Sequence, residues 1–230
     1  MKILNKTIIS SQSANVDINS SPIDLSQTYA ISAQVIATAT IGGSLQLQVS
    51  NDIVPVNYEF SNFTPTNWSN LGSAVTLSGA GANLIARTDT AYRALRAVFT
   101  DTFARIQTIV AVADVAGSLN SKYFLASSKT ANYYFWFSNG GGVDPLIAGR
   151  TGVPVVYTNN DSAATLGGLI RTAAASKGWT VTGASATAIL TCDVGGAVIA
   201  ASDGATPTGF SITNTVPTGS VSVNLMAICV

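Results

Sequence analysis

Between Gly42 and Asp52 the chain reads GGSLQLQVSND, and Leu45, Leu47 and Val49 alternate with Ser44, Gln46, Gln48 and Ser50. A period of two sends apolar side chains to one face of a strand and polar ones to the other. Similar patterning, bounded by turn-forming residues, predicts strands at Ile3–Ser10, Tyr29–Ala39, Ser44–Ser50, Ala74–Ser78, Asn83–Arg87, Tyr92–Thr100 and Arg105–Ala113. Gly42-Gly43, Asn51-Asp52, NFTPTN and SGAGAN supply the turns between them. The wet face of the Gly42–Asp52 strand carries amides and hydroxyls and no charge, which is unusual for a surface.

The pattern changes after ADVAGSLNSK (Ala113 to Lys122), a composition shift that reads as a linker and divides the chain into residues 1–115 and 116–230. Strands follow at Tyr123–Ala126, Tyr133–Ser138 and Val153–Thr158, with NGGGVDP as a hairpin loop. NNDSAATLGGLIRTAAASKG reads as a helix, capped by Asn160 or Asp161 and stopped by Gly178. Leu166, Leu169, Ile170, Ala173 and Ala174 form its apolar stripe. Gly167 and Gly168 each cost such a helix about 1 kcal/mol relative to Ala, so packing on a sheet must hold it. Further strands are expected at Trp179–Thr182, Ala188–Cys192, Ala197–Ala200, Phe210–Thr213 and Val221–Ile228. The expected fold is mainly β: an N-terminal antiparallel β-sandwich, jelly-roll-like, and a C-terminal α+β domain with one helix packed on a sheet.

YYFWF (Tyr133 to Phe137) is the densest apolar run. It reads first as a strand buried on both faces; alternatively, since alternation separates Tyr133, Phe135 and Phe137 from Tyr134 and Trp136, one set can face the helix and the other a neighbouring protein. Tyr134 and Trp136 are the candidate partner-facing anchors, because aromatic residues are enriched at interface hot spots.

Charge sharpens the picture. Only 10% of the residues are charged, against about 25% in ordinary globular proteins. Eleven basic and eleven acidic residues cancel. A neutral chain has no long-range pull on phosphate backbones, so nucleic acid is not an expected partner. Zero net charge also removes the repulsion that keeps copies apart, which favours self-association. No apolar run reaches the length of a membrane-spanning helix, and MKILNKTIIS lacks the apolar core and cleavage site of a secretory signal.

Candidate chemistry is sparse. Histidine is absent, which removes the commonest general base and zinc ligand. Glu59 is the one glutamate, and Asp17, Asp24, Asp52, Asp101, Asp144 and Asp203 sit singly among turn residues, where turn and cap hydrogen bonding is their expected work. Arg93 and Arg96 are expected to make surface salt bridges within the sheet. Cys192 and Cys229 lack the spacing of zinc ligands and read as two buried thiols, with a disulfide between late strands as the alternative. No catalytic residue, metal or cofactor is expected.

Two stretches carry a resemblance. LQLQVSND, followed after an insertion by NWSNLGSAVTLSGAG, resembles the strand–turn–Trp portion of discoidin-like, galactose-binding-type jelly rolls, and AYRALRAVF resembles their late strand. Residues 15 to 112 also resemble small β-sandwich proteins encoded among bacteriophage virion genes, which pair an S-N-D turn with a nearby N-W. KYFLASSKTANYYFWF, GGGVDP, AGRTGVPV and NNDSAATLGGLI resemble modules appended to phage head, tail and fibre proteins. The resemblance implies a non-enzymatic virion structural protein, assembled in the host cytoplasm, that decorates or stabilises the capsid. Its partners would be other virion proteins, the major capsid protein first, and further copies of itself in a closed symmetry such as a trimer. The alternative it implies is a tail-fibre or baseplate adhesin binding host glycans, with Trp68 stacking on a sugar ring and Asn51 and Asp52 hydrogen-bonding to it; the residues themselves read Trp68 first as a ring that closes the end of the sandwich.

Overall fold

A computed structural model of the chain describes residues 2–14, 16–25, 28–39, 41–52, 64–88, 92–192 and 198–229. Glu59 and most of the insertion at Ile53–Thr66 lie outside these residues, as does Ala197. The fold is mainly β with a single helix among the described residues. Contacts divide the chain into two compact units, Met1–Phe103 with Pro217–Val230, and Ala104–Val216.

The first unit contains β1 (Lys2–Ser13), β2 (Ile18–Asn19), β3 (Ile23–Asp24), β4 (Thr28–Ala37), β5 (Gly43–Ser50), β6 (Ser69–Asn70), β7 (Val75–Leu77), β8 (Gly81–Thr88) and β9 (Ala94–Asp101). The second contains β10 (Arg105–Val110), β11 (Tyr123–Ser127), β12 (Asn132–Ser138), β13 (Thr151–Val156), α1 (Ala163–Ala174), β14 (Thr180–Thr182), β15 (Thr187–Cys192), β16 (Ser202–Asp203) and β17 (Ser211–Thr215). The chain then returns to the first unit with β18 (Ser220–Cys229).

In the first unit, β1-β18-β4-β8 form one antiparallel sheet and β9-β5 centre the other, flanked by the short β2, β3, β6 and β7. Alternation decides what meets between them. Ile31, Ala33 and Val35 of β4 and Val221, Val223 and Leu225 of β18 pack with Leu45, Leu47 and Val49 of β5 and Leu95, Ala97 and Phe99 of β9 in one apolar cluster. The division differs from the 115/116 boundary read from composition. β10 pairs with β15 and β17, so it belongs to the second unit, while β18 lies between β1 and β4 and completes the first. Composition registers a linker but not the partner of a distant strand.

The second unit stacks two more sheets, β14-β15-β10-β17 and β13-β12-β11-β16. Ile109, Phe124, Phe135, Phe137, Val153 and Leu190 share a core that Leu166, Ile170 and Ala174 of α1 join from the side. Ser162, and not Asn160 or Asp161, caps the helix, its Oγ accepting the Thr165 N–H at 3.2 Å. Asn160 sits at φ +65°, in the turn before the helix, and the Asp161 carboxylate accepts the Thr158 N–H at 2.9 Å. The Asn160 side-chain carbonyl accepts the Ala116 N–H at 2.9 Å, so both side chains are engaged elsewhere than at the helix N-terminus. The strand expected at Ala197–Ala200 is not found: Val198–Ala200 is irregular, and the pairing with β11 falls to β16.

NGGGVDP is not a hairpin loop. β12 and β13 run parallel, from Tyr133 opposite Thr151 to Ser138 opposite Val156. A parallel pair needs a long crossover, and residues 139–150 provide it without a helix.

Aspartates staple the loops: Asp17, Asp101 and Asp203, as their neighbours suggested, and Asp114, which the sequence did not single out. Asp114, only 4% exposed, accepts from the N–H groups of Gly117, Leu119 and Asn160 and from the Ser118 hydroxyl. Burial pushes its carboxyl up, but those donors outweigh it and hold the group below its ordinary value. Asp203 gathers Gly204, Thr208 and Gly209 in the same way. Asp17 accepts from the Asp101 N–H, and Asp101 from that of Phe103.

Candidate functional site

The outward face of the β13-β12-β11-β16 sheet is built directly from the YYFWF alternation. Phe135 and Phe137 are fully buried and point inward, where Phe135 stacks on Phe124 with ring centroids 4.9 Å apart and planes 5° from parallel. Tyr133 follows them inward, its ring 5.3 Å from that of Trp179. The other parity looks out. Tyr123, Trp136 and Pro154 stand in register across three strands, and Leu125, Tyr134 and Gly152 form the row beside them. No outward-facing residue of these strands is charged. Val156 continues the face at 67% exposure.

The crossover at 139–150 folds over part of this face. The Tyr134 hydroxyl donates to Asp144 at 2.6 Å, and the Val143 N–H donates to the Ser121 hydroxyl at 2.9 Å. Hydrogen bonding to Asp144 raises the Tyr134 hydroxyl above its ordinary value, because ionisation would forfeit the bond. Glycine is required at position 152, since a Cβ there would lie 2.5 Å from the Tyr134 oxygen. Tyr134 is therefore 3% exposed and covered by its own chain, which removes it as a partner-facing anchor. Trp136 remains half-buried and open. In place of Tyr134 the crossover presents Val143 and Leu146, 73% and 79% exposed. Sequence reasoning missed these two because a loop of unknown path gives no orientation. Tyr123, Trp136, Pro154 and Val156, with Val143 and Leu146 at the rim, make an aromatic-centred surface whose strand positions carry no charge and whose crossover carboxylate, Asp144, is held by the Tyr134 hydroxyl, a surface of the kind that proteins press against other proteins.

The second candidate is the corner around Asn51, Asp52 and Trp68. Asp52 accepts the N–H groups of Thr66 and Asn67 at 2.6 and 3.0 Å and the Asn67 side-chain amide at 2.9 Å. The Asn67 backbone bond, then its side-chain bond and the Thr66 N–H, hold the carboxyl at about 2. Trp68 donates its indole N–H to the Pro65 carbonyl at 2.8 Å, and the Arg96 guanidinium lies 4.3 Å above its ring. Arg96 makes no salt bridge among its described contacts; it donates to Gln48 at 2.8 Å, and burial lowers its pKa. Asn51 and Asp52 border a hollow of about 310 Å³ with Ser50, Asn67, Ser69 and Tyr92. Trp68 does not line it, so the structure does not bring the three residues to one ligand-sized site. Tyr92, half-buried, is the ring that does line it.

A pH dependence follows from Asp52. Its folded value lies below the ordinary 3.8, so its contribution is complete above pH 4 and fades as pH falls from there toward 2. Exchange protection of the Thr66 and Asn67 amides should drop across that window, and in Asp52→Asn it should be weak and flat with pH. Unchanged protection down to pH 2 would contradict the bonding described.

The amides of the opening stretch turn out to serve the chain itself. Gln46 donates to the carbonyls of Leu47, Leu71 and Gly72, and Gln48 links Asn70 to Arg96. Among the described residues, no group of three or more acidic or sulfur ligands is gathered for a metal, and no helix is long and apolar enough to cross a membrane. Cys192 is buried near the Ser127 carbonyl, its Sγ 3.9 Å away, while the side chain of Cys229 lies outside the described residues. The chain matches no family model, no curated protein and no solved structure.

Proposed function

We propose that the protein is a non-enzymatic structural component of a bacteriophage virion that decorates or stabilises the capsid through protein–protein contacts. The observation that carries this reading is the aromatic face centred on Trp136, whose outward-facing strand residues carry no charge. Strands that bring no ions to an interface avoid a desolvation penalty of several kcal/mol per buried charge and respond little to salt, which suits a particle that meets varied surroundings. The sequence resemblance supplies the setting, and the major capsid protein is the first partner to try.

Particles assembled without the protein should lose resistance to heat and osmotic shock and regain it when purified protein is added back. Trp136→Glu combined with Val156→Lys should weaken add-back by about 30-fold, the loss of a hot spot worth about 2 kcal/mol, while circular dichroism and melting stay near the parent values. Full stability of particles lacking the protein would remove the capsid role. Normal stability with lost adsorption would instead favour a tail-fibre or baseplate adhesin. The hollow beside Asn51, Asp52 and Tyr92 gives that second reading its one structural support, and binding of the full chain to a glycan array, abolished by Tyr92→Ala, is its test.

A further inference from the structure

Strand edges carry unpaired N–H and C=O groups, and natural sheets blunt them with very short strands, bulges, lysine, proline or a covering segment. Among the described residues, every sheet edge but one has such a device. β1 is interrupted by register shifts between Thr7 and Ile9 and between Ile9 and Gln12, and includes Lys6. The sheet centred on β9 and β5 ends on strands of two or three residues. β14 has three residues and β16 two. β13 carries Pro154. β17 has the Ala201 segment held against it, because the Asn214 amide bonds both the N–H and the C=O of Ala201.

β8 is the exception. It runs eight residues, pairs with β4 without a register shift, and has neither proline nor bulge. Its one charged residue, Arg87, comes next to last. Residues 81–84 are all exposed, and Leu84, opposite Gln34, is 71% exposed on the sheet's outer face. We propose that a second copy of this chain seats its own β8 antiparallel on this edge, across a two-fold axis, joining the two four-stranded sheets into one of eight strands.

Self-pairing suits the sequence of β8. Centred on Leu84, it sets Leu84 against Leu84, Asn83 against Ile85 and Ala82 against Ala86, and no charged residue lies across from its like. The chain's net charge of zero adds no repulsion between copies. A strand of this length covers about 27 Å by about 10 Å, or roughly 270 Å² per copy, against the roughly 800 Å² of a stable interface. The pairing is therefore concentration-dependent, and it is two-fold, unlike the trimer expected from the sequence. It does not depend on where the protein acts.

Light scattering on the full chain over a wide concentration series tests it. The mass should rise from monomer to dimer, and Leu84→Lys, which places like charges across the axis, should raise the dissociation constant at least 10-fold with an unchanged circular dichroism spectrum. Register is read by cross-linking. Leu84→Cys should oxidise to a disulfide dimer, because cross-strand partners bring their Cβ atoms within about 5 Å. Asn83→Cys, facing Ile85, should not. Monomer mass throughout, a trimer, a dimer indifferent to Leu84→Lys, or equal cross-linking at 83 and 84 would each overturn the proposal.

Discussion

Gly167→Ala should destabilise the second unit by about 3 kcal/mol, whereas Gly168→Ala, one position along the same helix, should stabilise it by about 1 kcal/mol. Helix propensity favours alanine at both positions, so the opposite signs must come from packing. A Cβ at 167 would meet the Ser185 carbonyl oxygen at 2.4 Å and the Ala186 carbonyl carbon at 2.6 Å. Both are backbone atoms and cannot swing aside. Relief requires α1 to retreat from β15, which would open the fully buried contacts of Leu166, Ile170 and Ala174. At 168 a Cβ would meet only the Arg171 guanidinium, at 3.7 Å, an ordinary van der Waals distance. Thermal unfolding of the two variants side by side checks the prediction, with shifts of about 4–8 °C per kcal/mol for a unit of this size. Equal shifts of the same sign would mean that α1 does not sit against 185–186.

Phe135→Ala should cost still more, about 3–5 kcal/mol. The ring is fully buried, stacks on Phe124, and lies 6.0 Å from the indole of Trp179. Two aromatic partners on different segments cannot collapse together into the space it leaves, so a cavity persists. Trp179 reports on the site directly, and its near-ultraviolet dichroism should weaken before the backbone signal changes. Leu84→Ala, at an exposed position of the other unit, serves as the control and should leave that signal unchanged. A loss below about 1 kcal/mol would show that the core repacks and that the stack is not its centre.

The alternation at Ser44–Ser50, at Tyr133–Ser138 and at Val221–Ile228 was enough to place β5, β12 and β18 and to say which of their side chains face inward. This follows because the side-chain period of a strand is local and independent of its partners. Partnership is not local. Nothing in SVSVNLMAIC indicates that β18 inserts between β1 and β4, some 200 positions earlier, and a boundary near residue 115 differs from the two compact units for that reason. The direction of β13 was equally hidden, since NGGGVDP suits a tight turn as well as the start of a crossover. From that single ambiguity came the misplacement of Tyr134, whose outward parity was right but whose cover was invisible. The Asn51–Asp52–Trp68 corner shows the same limit. Asp52 and Trp68 are near in the fold, yet each is committed to backbone groups at 65–67, a fact carried by loop geometry and not by residue type.

The central position of β18 has a bearing on biosynthesis. As the polypeptide leaves the ribosome, everything that the Ala104–Val216 unit needs emerges while the earlier-made sandwich still lacks a middle strand. Nascent segments usually acquire structure from the front of the chain backward. Here the order is inverted: the inner module can close first, and β1 and β4 must wait, with facing margins vacant, until the last residues of β18 slide between them.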